Sequence, residues 1–231
     1  MNLSIIIPAY NEASTIREII HNVAELEIVK EIIVVDDGST DGTREILADI
    51  KQSWDRKPLL EIYFKEKNEG KGSAVSYGIK QAKGDVLIIQ DADLEYDPRE
   101  IPELLKPIKE KKADVVYGSR FLGAPRRSTM FWHMVANHIL TFVTNILYDA
   151  ILTDMETGYK MFTRKAIEGI ELRSKRFDLE PEITAKFLKR KMRLFEVPIS
   201  FNPRDYEEGK KIGLKDAFDA LWALIKYRFV D

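Results

Sequence analysis

Apolar and polar positions alternate in blocks along the first half of this chain. The runs LSIII (3–7), EIIVV (31–35), LLEIYF (59–64), DVLIIQ (85–90) and ADVVYG (113–118) are short and β-rich, which predicts strands. Between them, near 12–25, 41–52, 72–82 and 98–111, the pattern predicts helices. Strand and helix in alternation specify βαβ units. The expected fold class is therefore α/β, a Rossmann-like, mostly parallel sheet with helices on both faces. The second half is less regular. Strands are expected at 158–163 and 193–201 and a helix near 181–191. The polar loop NPRDYEEGKKIG and a closing amphipathic helix, LKDAFDALWALIKYRF, follow. No repeat or flexible linker interrupts the chain, so residues 1–231 are expected to form one domain with an appended C-terminal helical part.

The longest apolar stretch is MFWHMVANHILTFVTNILYDAIL (130–152). His133, Asn137, Thr141, Asn145 and Asp149 recur every fourth residue and draw a polar stripe along an otherwise apolar helix. An amphipathic helix is expected, not a membrane span. Its apolar face and that of 217–229, with Phe131, Trp132, Trp222 and Phe229, suit packing on the sheet or a subunit, or contact with a membrane interface.

A hydrophobic content of 45% supplies a sizeable core and excludes disorder. The absence of cysteine excludes disulfides, thiolate zinc sites and cysteine nucleophiles, and suits a cytoplasmic protein. The start LSIII ends at Pro8 and does not resemble a secretory signal. A net charge of -2 conceals an uneven spread, about -7 over residues 1–159 and about +5 over 160–231. That asymmetry suggests a cation site in the front half and an anion in the back, with solvated surface as the plain alternative. It gives no reason to expect a nucleic-acid partner.

In open α/β sheets, ligands sit beyond the carboxyl ends of the strands. PAYNE, DDGSTDG, KNEGKG, QDADLE and GSR each fall at such an end. In IIQDADLEYDP (88–98), Asp91, Asp93 and Glu95 on an extended segment would point the same way. Carboxylates that close would force one to stay protonated unless a cation joins them, and hard oxygen ligands favour Mg²⁺ or Mn²⁺. Asp97-Pro98 opens the next helix. No GxGxxG follows the first strand, and in NEGKGSA a glycine follows Lys71 where a P-loop needs Ser or Thr.

Taken in order and spacing, PAYNE, VVDDGSTDGT, KNEGKGSA, GDVLIIQDADLE and GSRF resemble the family 2 glycosyltransferases with the GT-A fold. Within them, the chain is similar to the polyprenyl-phosphate (dolichol-phosphate) mannose and glucose synthases. The resemblance implies an inverting hexosyl transfer from a GDP-sugar or UDP-sugar donor to a polyprenyl phosphate acceptor, with Mg²⁺ or Mn²⁺. It implies a nucleotide-binding half at about 1–120 and an acceptor-side half at about 121–231. Pro8, Tyr10 and Glu12 would line the nucleotide pocket, and Val35 and Asp37 would contact the base, while Asp36 is an alternative loop brace. Asp91, Ala92 and Asp93 match the DxD motif, with Asp91, Asp93 and Glu95 as metal ligands. Arg120 would pair with a phosphate as a planar fork, and Arg204, Lys210 and Lys211 would hold donor or acceptor phosphates.

The chain departs from the pattern at His133, where relatives often carry an arginine that Arg126 or Arg127 would replace, and at Asp178, where some have lysine. A lipid phosphate is already an anion and needs no general base. A sugar hydroxyl, the alternative acceptor in polysaccharide or glycoconjugate synthesis, needs one. Asp154, Glu156, Glu180 and Glu182 are the carboxylates available, with Glu182 preferred, so the expected catalytic set is Asp93, Arg120 and Glu182. Such an enzyme would be cytoplasmic and peripheral, meeting a membrane surface or a membrane-protein partner.

Overall fold

A computed structural model of the chain describes residues 1–125, 131–203 and 214–230. The first half runs β1 (Leu3–Ala9), α1 (Ile16–Ala24), β2 (Val29–Asp36), α2 (Thr43–Ser53), β3 (Leu59–Phe64), α3 (Lys71–Gln81), β4 (Val86–Ile89), α4 (Ile101–Lys109) and β5 (Val115–Ser119). The second runs α5 (Phe131–Tyr148), β6 (Lys160–Thr163), α6 (Arg164–Ile167), α7 (Leu179–Lys189), β7 (Leu194–Pro198) and α8 (Leu214–Phe229). The seven strands form one sheet in the order β3-β2-β1-β4-β6-β5-β7. β6 runs antiparallel to both β4 and β5, while every other pairing is parallel.

The apolar runs are continuous because both faces of the sheet are covered. Successive side chains of β1 face opposite ways: Ile5 and Ile7 join a layer with Ile16 and Ile19 of α1, Leu47 of α2 and Leu104 of α4. Ile6 joins the opposite layer with Val75 of α3 and Ile183 and Phe187 of α7. Each such side chain, fully buried, contributes on the order of 1.5–3 kcal/mol. The second layer is tight enough that a Cβ on Gly78 of α3 would lie 2.5 Å from Ile6 Cγ2.

Helices α5 and α8 pack together through Leu140, Ala220 and Leu224, beside Leu152 and Met155. Here the polar stripe of α5 faces inward. Asn137, Thr141 and Thr144 are buried, while Phe131, Trp132, Ile139, Phe142 and Ile146 are exposed. The reason lies in the loop beyond the helix, whose polar groups need partners. Asn137 Nδ2 donates to Asp154 Oδ1 (2.9 Å), and Thr141 Oγ1 accepts from Met155 N (3.1 Å). Asn145 exchanges two hydrogen bonds with the backbone of Leu152. Among the described residues no helix is long and apolar enough to cross a membrane.

Candidate active site

The parallel strands bring their carboxyl ends to one edge, and the antiparallel β6 brings its preceding loop, 154–159, to the same edge. There Lys71, the first residue of α3, sits between two acids. Its Nζ lies 2.8 and 3.0 Å from the two oxygens of Asp91 and 3.0 Å from Glu180 Oε1. Burial alone would lower the Lys71 pKa, but Asp91 and Glu180 raise it well above its ordinary value, so it is a resident cation. Close backbone approach fixes α3 here. A Cβ on Gly72 would lie 2.3 Å from the Ser174 carbonyl oxygen, and Ser73 N donates to Lys175 O at 3.1 Å. Lys71 thus reaches Glu180 in the first turn of α7.

A second buried pair lies beside it. Arg120 donates to Asp154 through Nε (2.7 Å), Nη2 (2.8 Å) and its backbone N–H (3.1 Å). The guanidinium stands 5.0 Å over the ring of Phe201. Burial would raise the Asp154 pKa, but the charge and hydrogen bonds of Arg120 hold it below the ordinary carboxylate range. The loop after Asp154 is pinned by Lys160, which is 1% exposed and donates to the carbonyls of Met155 and Thr157. Gly158 N donates to Tyr96 Oη at 3.1 Å, and the Tyr96 ring stacks on Tyr159.

Several residues singled out from the sequence make contacts of other kinds in the structure. The three acids do not converge: β4 ends at Ile89, and Leu94 adopts a left-handed φ of 62°, so the segment turns instead of extending. Glu95 lines a cavity of about 740 Å³ with Glu18, Asn22 and Arg99, and neither Asp91 nor Asp93 borders it. Among the described residues no group of three or more His, Cys, Asp or Glu is placed to hold a metal ion. Asp91 and Asp93 remain as hard oxygen donors at the end of β4.

Glu182 is not placed as a base. Two residues apart on a helix, Glu180 and Glu182 face nearly opposite ways. Glu182 is fully buried and accepts from Arg173 N (2.9 and 3.0 Å), Ser174 N (2.7 Å) and Lys186 Nζ (2.6 Å). Burial would raise its pKa, but Lys186 and the two backbone donors hold it low. It braces the 173–174 loop.

Asp37 likewise braces a loop, accepting from Lys65 Nζ (2.6 Å), Glu69 N (3.1 and 3.2 Å) and Gly70 N (2.6 Å). Asp36 binds Ser39 N and pairs with Arg44 at 3.3 Å. The Val35 side chain is buried in the core, and Ala92 is buried as well. Glu12 accepts from Thr15 Oγ1 at 3.0 Å and its N–H donates to Thr43 Oγ1 at 2.9 Å, tying the β1 loop to α2. Pro8 and Tyr10 are half-buried beside it. The Arg120 fork is closed on Asp154, which leaves only its outer N–H groups for a phosphate. Arg126, Arg127, Arg204, Lys210 and Lys211 lie outside the described residues. Lys71, Tyr96 and Lys160 were not expected at the site. Lys71 carried one usable signal, a lysine opening a helix beyond a strand end.

Solved structures share this architecture. Glucosyl-3-phosphoglycerate synthase from Mycobacterium tuberculosis, in complex with Mn²⁺, UDP-glucose and phosphoglyceric acid, aligns over 100% of this chain and 80% of its own, with TM-score 0.78 and 18% identity. At that identity the match establishes the GT-A fold. Among curated proteins, dolichol-phosphate mannosyltransferase of Pyrococcus furiosus is 32% identical over 226 residues, 96% of this chain. The low-salt glycan biosynthesis hexosyltransferase of Haloferax volcanii is 28% identical over 99% of this chain. The chain spans only 62% and 53% of the lengths of those two. UDP-N-acetylglucosamine–dolichyl-phosphate N-acetylglucosaminyltransferase of Methanococcus voltae, 28% identical, is matched over 96% of this chain and 94% of its own. With residues 4–170 also matching the family model for glycosyl transferase family 2, the chain belongs to that family.

Proposed function

We propose that this chain is an inverting glycosyltransferase that moves a hexose from a nucleotide-diphosphate sugar to a polyprenyl phosphate, aided by a divalent cation. The observation that carries the reading is the seating of Asp91 at the shared carboxyl edge of the sheet, against Lys71 and Glu180. Relatives named as dolichol-phosphate transferases support the acceptor class. Pro8, Tyr10, Glu12 and the Asp36–Asp37 loop border the proposed nucleotide site. Asp91 and Asp93 fit a cation that takes two protein carboxylates and completes its shell with substrate phosphates and water, as Mg²⁺ does and Mn²⁺ can. Bound there, it would stabilise charge on the leaving nucleoside diphosphate.

The lipid phosphate is an anion at neutral pH, so one of its oxygens attacks C1 opposite the leaving diphosphate, and no side chain need remove a proton. The outer N–H groups of Arg120, with Arg204, Lys210 and Lys211, are assigned to the phosphates. The hydroxyl-acceptor alternative loses its preferred base, because Glu182 is fully engaged. The packed helices α5 and α8 each present an apolar face, with Trp132 76%, Phe142 64%, Phe218 72% and Phe229 80% exposed. Such a surface suits a membrane interface, where the lipid acceptor resides.

The test is an acceptor comparison. The chain is incubated with labelled GDP-mannose or UDP-glucose and either a short polyprenyl phosphate or the matching polyprenol. Label is expected only on the phosphate. Equal labelling of the free alcohol would contradict an acceptor that brings its own anionic nucleophile.

A further inference from the structure

Gln90 is the residue just before the acids at the end of β4, and it is fully buried. Its backbone N–H continues the pairing with β1, donating to the Ile6 carbonyl at 2.9 Å. Its side-chain amide serves the segment that follows. Nε2 donates to the carbonyl of Asp91 (3.2 Å) and to the carbonyl of Tyr96 (3.3 Å), the first and last residues of the turn 91–96. Between those ends the turn carries Asp93 and Glu95 and bends at the positive φ of Leu94. Inside it, Glu95 N donates to Asp93 Oδ1 at 3.2 Å. Outside it, Tyr96 is fastened to the 154–159 loop: its Oη accepts from Gly158 N at 3.1 Å, and its ring lies 5.1 Å from that of Tyr159. One side-chain amide thus closes the turn that bears the acids, and Tyr96 ties that turn to the neighbouring loop.

The closure leaves Gln90 Oε1 sealed in the protein with no hydrogen-bond partner. An apolar side chain of the same length would fill the place without an unsatisfied acceptor, so packing does not account for a glutamine here. The two donated bonds do. With the amide reversed, its oxygen would face both carbonyls, and only the NH₂ group can tie them. The tie matters because Asp91 and Asp93 repel each other, and an unclosed turn would relax by separating them. Side chains that orient ligating groups without touching the metal change its affinity by roughly 10- to 100-fold when they are lost.

We infer that Gln90 is a positioning residue, whose amide holds the turn 91–96 so that Asp91 and Asp93 are presented together to the divalent cation. The inference rests on the cation reading given above and adds to it a residue outside the ligand set.

Titration with Mn²⁺ followed by electron paramagnetic resonance, with and without UDP or GDP, tests it without any turnover. Gln90→Met keeps the length of the side chain and removes both donors. Its Mn²⁺ affinity is expected to fall roughly 10-fold or more below that of wild type. Val23→Ala, which opens a void in the core at the last turn of α1, controls for lost stability and should bind Mn²⁺ within about threefold of wild type. Equal affinity in wild type and Gln90→Met, or an equal fall in Val23→Ala, overturns the inference and leaves the cation reading standing. If Gln90→Met does not fold, Gln90→Asn, which draws the amide back from both carbonyls by one methylene, carries the same expectation. Failure of both variants to fold would make Gln90 a folding residue and overturn the inference as well. If wild type binds no Mn²⁺, with or without nucleotide, the cation reading fails and the inference falls with it.

Discussion

Replacing Asp154 by alanine is the sharpest test of how the site is held together. Asp154 is fully buried and accepts four hydrogen bonds, three from Arg120 and one from Asn137 Nδ2. The substitution leaves a guanidinium, whose side chain is 16% exposed, facing a hole. Breaking a buried ion pair from one side costs about 3–5 kcal/mol, because the remaining charge stays desolvated. For a chain of this length that corresponds to a fall of about 6–20 °C in melting temperature.

The pH dependence follows from the depressed pKa of Asp154 in the folded chain. Its stabilisation is present above the unfolded carboxylate pKa of about 3.9 and is lost as pH falls through the lower folded value. Wild type therefore loses stability between about pH 4 and the onset of acid unfolding more steeply than the variant. The double variant Arg120→Met with Asp154→Leu should be destabilised by less than the sum of the single changes, since no charge remains unpaired. Thermal and urea unfolding across pH 3–8 provide the readout. A shift below about 2 °C for Asp154→Ala would refute the reasoning, because it would mean that the pair is solvated and replaceable.

Three further outcomes are expected. Glu182→Gln weakens the brace on the 173–174 loop and lowers stability by about 1.5–3 kcal/mol, yet keeps transfer per folded molecule within about threefold. A loss of transfer above about 100-fold at an unchanged melting temperature would restore Glu182 as a base. Lys71→Met removes the cation between Asp91 and Glu180, so Mn²⁺ should raise its melting temperature more than it raises that of wild type. An equal or smaller rise in calorimetry would count against a cation site at Asp91. Gly78→Ala forces a methyl against Ile6 and should cost about 1–3 kcal/mol in urea denaturation, whereas a neutral result would show that α3 can retreat from β1.

The parallel core was legible because apolar runs bounded by polar loops admit few other arrangements, and β1 to β4 stand close to where the pattern placed them. The direction of β6 was not legible. GYKMFT looks the same in either orientation, yet only the antiparallel one delivers the loop carrying Asp154 and Glu156 to the site. The grouping of Asp91, Asp93 and Glu95 failed on one dihedral, the positive φ of Leu94, which no periodicity reveals. Which of Glu180 and Glu182 turns toward Asp91 was not legible either. Every residue from Leu179 to Phe187 is buried, so α7 has no solvent face there to reveal its rotation. The polar stripe of α5 was visible, but its inward direction depends on the backbone of residues 152–155, a tertiary demand invisible in the helix itself.

The central claim is that the acids at the end of β4 serve transfer of a sugar to a lipid phosphate. It is tested most directly by partitioning label from GDP-mannose and UDP-glucose into an organic phase containing polyprenyl phosphate, with Mn²⁺ or with EDTA, for wild type and Asp91→Asn. Label is expected in the lipid phase only for wild type with metal. Transfer that survives both EDTA and the loss of the Asp91 carboxylate would contradict the account.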